Sequence, residues 1–179
     1  NFNNWVKLGY IPPMVVVIPE VLDYTGGGSN IDDFQYYIYS TQTNRFNALL
    51  TSIEEGTLSP QIDTTKAPYV AGFSMGGRQS LACGLGNLDM FRWVGAFAPA
   101  IFGNEYETNF ANGLYEPLKK AERKLELMWL GCGSEDFLIQ ASRGLDAYLT
   151  EQGFEHTFYN PGGGHTWMNC RDYIELLAK

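Results

Sequence analysis

The chain has 179 residues, 45% of them hydrophobic, and 12 basic against 20 acidic side chains give a formal net charge of −8. That length and apolar content support one sizeable core, so residues 1–179 read as a single domain. The acidic balance, with no basic run interleaved with aromatics, excludes nucleic acid as an expected partner, and no stretch is long and apolar enough to span a membrane.

Strand-like runs alternate with helical ones along the chain, the pattern of an α/β fold with a mostly parallel sheet flanked by helices. The apolar run Met14–Ile18, bounded by prolines, reads as the first strand. Gly26, Gly27 and Gly28 form a loop that resembles a phosphate cradle, but no Gly-Lys-Ser/Thr follows and that reading is rejected. A helix is expected over Arg45–Glu55, a strand over Tyr69–Phe73 and a helix over Met75–Gly86. Further on, the pattern predicts strands over Trp93–Phe97, Leu125–Leu130 and His156–Tyr159, and helices over Glu116–Lys120, Ser142–Gln152 and Thr166–Ala178.

The most specific motif is Gly72-Phe73-Ser74-Met75-Gly76-Gly77, set between a strand and a helix. That is the setting of a nucleophile elbow, where a sharp, strained turn holds a serine hydroxyl out at the carboxyl edge of the sheet. The flanking glycines are expected because a Cβ there would collide with the neighbouring strand or helix. A serine hydroxyl is a weak nucleophile at neutral pH and needs a base, itself oriented by a carboxylate. Only two histidines are present, His156 and His165. His156 lies in an alternating strand-like run and reads as a structural side chain. His165 follows Pro161-Gly162-Gly163-Gly164 on a loop beyond a strand, where this architecture keeps its chemistry. Asp136, on the loop after the Leu125–Leu130 strand, is the candidate acid; Glu135 is its alternative, and either carboxylate could instead cap the following helix. The chain order Ser74, Asp136, His165 is that of α/β-hydrolases.

The segments Ala71 to Gly77, Trp93-Val94-Gly95-Ala96-Phe97-Ala98-Pro99, Trp129 to Asp136 and Gly163-Gly164-His165-Thr166-Trp167 resemble the putative-esterase family. More narrowly they are similar to carbohydrate esterase family 1, the feruloyl and acetylxylan esterases of plant-cell-wall degradation. The resemblance runs from about Pro12 to the C-terminus. It implies an α/β-hydrolase fold, with Ser74 as nucleophile, Asp136 as acid and His165 as base, no cofactor, an acylated polysaccharide as substrate, and secretion. Oxyanion stabilisation would come from the backbone N–H of Met75 and from a His-Gly-Gly loop that these residues do not contain. The family's first strands are likewise without counterparts, so the chain is expected to be the C-terminal part of a longer catalytic domain. Trp167 and Tyr24 are the candidate substrate contacts, Tyr24 beside the glycine-rich loop and the aromatic run Phe34, Tyr36, Tyr37 and Tyr39. Cys170 stands where the family often has a second tryptophan, a change expected to alter packing behind the histidine loop.

The resemblance leaves open other acyl esterases or acyltransferases of the same fold, and a non-catalytic domain that only binds carbohydrate. For Cys83, Cys132 and Cys170, buried free thiols are expected over a bridge between Cys132 and Cys170, and the Cys and His spacings disfavour a metal site.

Overall fold

The computed structural model describes residues 2–18, 48, 51–52, 55–57, 63, 65–103, 105 and 125–178. They fall into two compact units, Asn1–Lys66 and Ala67–Lys179. The expected helix over Glu116–Lys120, most of the one over Arg45–Glu55, Tyr24 and the Gly26–Gly28 loop lie outside the described residues.

In the first unit, helix α1 (Phe2–Lys7) buries Trp5, which meets Phe2 edge to face with ring centroids 5.3 Å apart. Gly9 ends it at φ 73°, where Gly9 N–H donates to the Val6 carbonyl (3.0 Å) and Tyr10 N–H to that of Trp5 (2.9 Å). This pair of bonds is a Schellman closure, and it needs the left-handed conformation that glycine adopts without a Cβ penalty. The expected strand over Met14–Ile18 is not formed: these residues are described, carry no strand and leave Val15, Val16, Val17 and Ile18 exposed. An apolar run between prolines has strand composition, but a strand exists only beside a partner, and no described segment lines up its N–H and C=O groups against this one.

The second unit is built on four parallel strands, β1 (Tyr69–Phe73), β2 (Trp93–Phe97), β3 (Leu127–Gly131) and β4 (Thr157–Tyr159), lying in chain order across the sheet. Among the described residues, helices α2 (Met75–Gly86), α3 (Ile139–Glu151) and α4 (Trp167–Ala178) accompany them. Side chains alternate across the strands as the period of two requires. Val94, Ala96, Met128 and Leu130 point to one face and pack with Leu81 and Leu85 of α2 and Leu145 and Leu149 of α3. Phe97 and Trp129 point to the other, against Cys170 and Tyr173 of α4. Four leucines of the first cluster have no exposed surface, and burial of each contributes about 1.5–3 kcal/mol.

Small residues let α4 approach its face: a Cβ on Gly95 would stand 2.6 Å from Leu177 Cδ2, and one on Gly131 would meet Trp129 and Tyr173. Helix α3 starts at Ile139, ahead of the expected Ser142, because Ser142 N–H already donates to the Leu138 carbonyl at 2.9 Å. Strand β4 begins at Thr157, opposite Trp129, one residue after His156, whose ring nitrogens lie 2.9 Å from the Phe154 carbonyl (Nδ1) and 2.9 Å from Asp146 Oδ1 (Nε2). This histidine is structural, as its strand-like setting implied.

Candidate active site

The carboxyl ends of parallel strands collect functional groups because the following loops leave the sheet together there. Ser74 directly follows β1, Asp136 lies five residues beyond β3, and His165 lies six beyond β4.

Ser74 has φ 58° and ψ −117° and stands immediately before α2. For a residue with a Cβ this conformation costs about 1–3 kcal/mol, so the surroundings must impose it. They do so through the backbone: Ser74 N–H donates to the Phe97 carbonyl (2.8 Å), and the Ser74 carbonyl accepts from Arg78 N–H (3.1 Å) and Ala100 N–H (2.9 Å). Arg78, buried in the first turns of α2, donates through Nη1 to the Ala100 carbonyl (3.0 Å) and pairs with Glu105, which fixes the segment after β2 against the same helix. The N–H of Met75 is the first of α2, a position where the helix itself supplies no acceptor.

The glycines of the elbow do not share one role. A Cβ on Gly72 would lie 2.3 Å from the Gly76 carbonyl oxygen, and one on Gly77 would lie 3.0 Å from both the Phe97 oxygen and Pro99 Cα, whereas one on Gly76 would meet nothing within 4 Å. The steric demand read for both flanks of Ser74 therefore holds at Gly72 and fails at Gly76. Gly72→Ala should destabilise the fold by about 1–3 kcal/mol, because backbone must shift to admit the methyl group. Gly76→Ala should be neutral or stabilise by up to about 1 kcal/mol, since alanine restricts the unfolded chain and favours helix. Urea-unfolding midpoints of the two variants check this; equal losses would contradict it.

Asp136 and His165 are joined directly, with Oδ2 of Asp136 accepting from Nδ1–H of His165 at 2.8 Å. The aspartate is buried, only 3% exposed, while its other oxygen accepts the Leu138 N–H at 2.9 Å. One oxygen of Asp136 thus holds the histidine, and the other holds the Leu138 N–H just ahead of α3, whose own first turn receives no side-chain cap. Glu135 is exposed and contributes only its backbone N–H, to the Gly163 carbonyl at 3.0 Å.

The imidazole of His165 lies between two phenyl rings, Phe73 at 4.5 Å and Phe137 at 4.7 Å between centroids. Phe73 immediately precedes Ser74, so this stack brings the histidine beside the elbow. No hydrogen bond among the described residues joins Ser74 Oγ to His165; contacts of this kind often tighten only when substrate binds. Trp167 is 77% exposed and 5.3 Å from Phe73, on the rim of the same edge. Nothing in the spacing of Phe73 and Phe137 along the sequence marks a ring that flanks a histidine from another loop.

Residues 4–177 match the family described as Putative esterase. The chain belongs to that family. Across 63 residues it is 32% identical to an acetyl esterase of Caldicellulosiruptor saccharolyticus, a stretch covering 35% of this chain and 24% of that protein. It is 25% identical to a carbohydrate esterase family 1 ferulic acid esterase of Anaeromyces mucronatus, with a TM-score of 0.66 over 98% of this chain and 68% of the fungal one. The enterobactin esterase of Shigella flexneri has the same fold, at 22% identity and a TM-score of 0.65, covering 99% of this chain and 45% of that one. These relatives establish the α/β-hydrolase fold with its parallel sheet.

In this esterase-family chain all three cysteines are free, and burial pushes each thiol up to about 11. Cys170 packs among Phe97, Trp129 and Tyr173. Because these thiols are raised above their ordinary value of 9.0, the folded chain between about pH 9 and 11 holds protons that the unfolded chain has lost. Stability should be at its full value below pH 9 and decline from pH 9 to 11. Urea midpoints at pH 7, 9 and 10.5 test this, and a midpoint independent of pH across that range would contradict it.

Proposed function

We propose that the protein is a serine carboxylic-ester hydrolase that releases feruloyl groups from plant-cell-wall polysaccharide outside the cell. The observation that carries the catalytic reading is the Asp136–His165 hydrogen bond at the sheet edge that also bears the strained Ser74. Family membership and the likeness to a ferulic acid esterase support the substrate. Exposed aromatic surface on Phe137 and Trp167 beside the histidine suits a phenolic ring.

In this mechanism Asp136 holds His165 as the tautomer with Nδ1–H, leaving the Nε2 lone pair for the Ser74 proton. Ser74 Oγ attacks the ester carbonyl, a C–O bond forms, and the carbonyl oxygen becomes an oxyanion held in part by Met75 N–H. Collapse breaks the bond to the sugar oxygen, which leaves with the proton from His165. Water, giving a proton to His165, then attacks the acyl carbon; the bond to Ser74 Oγ breaks, the serine takes that proton back from His165, and the carboxylic acid is freed. No step calls for a metal or an organic cofactor.

Resemblance to an acetyl esterase supports a second reading, in which the acyl group is acetyl. Hydrolysis of methyl ferulate beside p-nitrophenyl acetate by the full chain separates the two. Feruloyl turnover well above acetyl turnover is the expected result; acetyl turnover alone would move the substrate, and turnover of neither ester would favour a non-catalytic carbohydrate-binding domain.

A further inference from the structure

We infer that Asn169 is a positioning residue for the histidine loop, and that ester cleavage depends on its side-chain amide although it touches no reacting atom. This rests on the proposed role of His165 as base.

Three successive carbonyls precede His165, and all three are held. The Asn169 amide Nδ2 donates to Gly164 O at 3.0 Å and to Gly162 O at 3.3 Å, while Glu135 N–H donates to the one between them, Gly163 O, at 3.0 Å. Only a donor can face two carbonyls, so the amide orientation follows from the chemistry of its partners. The spot leaves no room for other groups. A Cβ on Gly163 would lie 2.8 Å from Asn169 Nδ2, and one on Gly133, from the acid loop, would lie 2.8 Å from the same atom and 2.0 Å from Gly163 O. The acid loop, the histidine loop and the first turn of α4 therefore meet at this one amide, which is steadied by Asn169 N–H donating to Thr166 Oγ1 at 3.4 Å.

Pro161-Gly162-Gly163-Gly164 is otherwise a segment with wide conformational freedom, and Gly163 sits at φ 91°. The Gly164 carbonyl belongs to the peptide that enters His165, so fixing it sets the plane from which the imidazole reaches Asp136. An error of about 1 Å in such placement can cost on the order of 100-fold in rate.

Asn169→Ala removes the donor. Asn169→Asp keeps the shape but sets carboxylate oxygens against two carbonyl oxygens. Both should lower kcat on p-nitrophenyl acetate by roughly 10- to 100-fold with KM within about twofold. Both should also broaden or abolish the downfield proton resonance of the His165 Nδ1–H, assigned by its loss in His165→Ala. Should the aspartate variant fail to fold, the alanine variant carries the test. Folded variants with unchanged resonance overturn the inference, whatever their thermal midpoint or kcat. If the wild-type chain turned over no ester, the esterase reading would fail, and the resonance alone would decide the positioning role.

Discussion

Ser74→Ala is expected to lower ester turnover by about 10⁴-fold or more while leaving the fold intact. The hydroxyl is the group that forms the acyl bond, so no neighbouring side chain can replace it in the first step. Its removal should cost little stability for two reasons. Ser74 makes no side-chain cap to α2, so no orphan N–H of the helix loses a partner. Alanine also bears the same Cβ as serine, so the penalty of φ 58° is unchanged, and the change in folding free energy should stay within about 1 kcal/mol. Thermal unfolding and initial rates on the same preparation give both quantities. Turnover near that of the wild type would remove Ser74 from the mechanism.

Asp136→Asn is expected to lower kcat by about 10⁴-fold with little change in KM. The asparagine carbonyl can still accept the Leu138 N–H now bound by Oδ1, so the start of α3 survives. Its NH₂ would then face His165 Nδ1, where the carboxylate now accepts at 2.8 Å. The imidazole must turn or change tautomer, and in the other tautomer Nε2 carries a proton and cannot accept the one from Ser74. Asp136→Ala loses both oxygens. It should match the asparagine variant in activity and fall further in stability by about 1–3 kcal/mol, because Leu138 N–H is left buried without an acceptor. An asparagine variant with wild-type kcat would mean that Asp136 serves only to hold the Leu138 N–H.

The strand-to-helix turn was legible because its requirements are local. Gly72 answers to the Gly76 carbonyl four residues on, and β1 and β2 begin and end where their apolar runs do, although the bonds that hold Ser74 in its strained conformation come from Phe97 and Ala100. His165 was separable from His156 for the same reason, one following a glycine loop and the other a strand-like alternation. Legibility stopped where a residue's role depends on a different part of the chain. Met14–Ile18 has the composition of a strand, yet composition does not supply the neighbour a strand requires. The Leu138 N–H that Asp136 binds lies two residues away, but His165 reaches the carboxylate only after β3 and β4 pair, so the sequence alone does not divide the two roles. Asn169 carries no local signal, since an asparagine in a first helical turn ordinarily marks nothing beyond a cap, and its carbonyl partners are set by the fold of the glycine loop.

The most direct test of the account is to treat the full chain with a fluorophosphonate, which phosphonylates a serine only where a base activates it, and to locate the adduct by peptide mass spectrometry. One adduct is expected, on Ser74, absent from Ser74→Ala and formed far more slowly in His165→Ala. An unlabelled Ser74, or a label on another serine with Ser74 untouched, would contradict it.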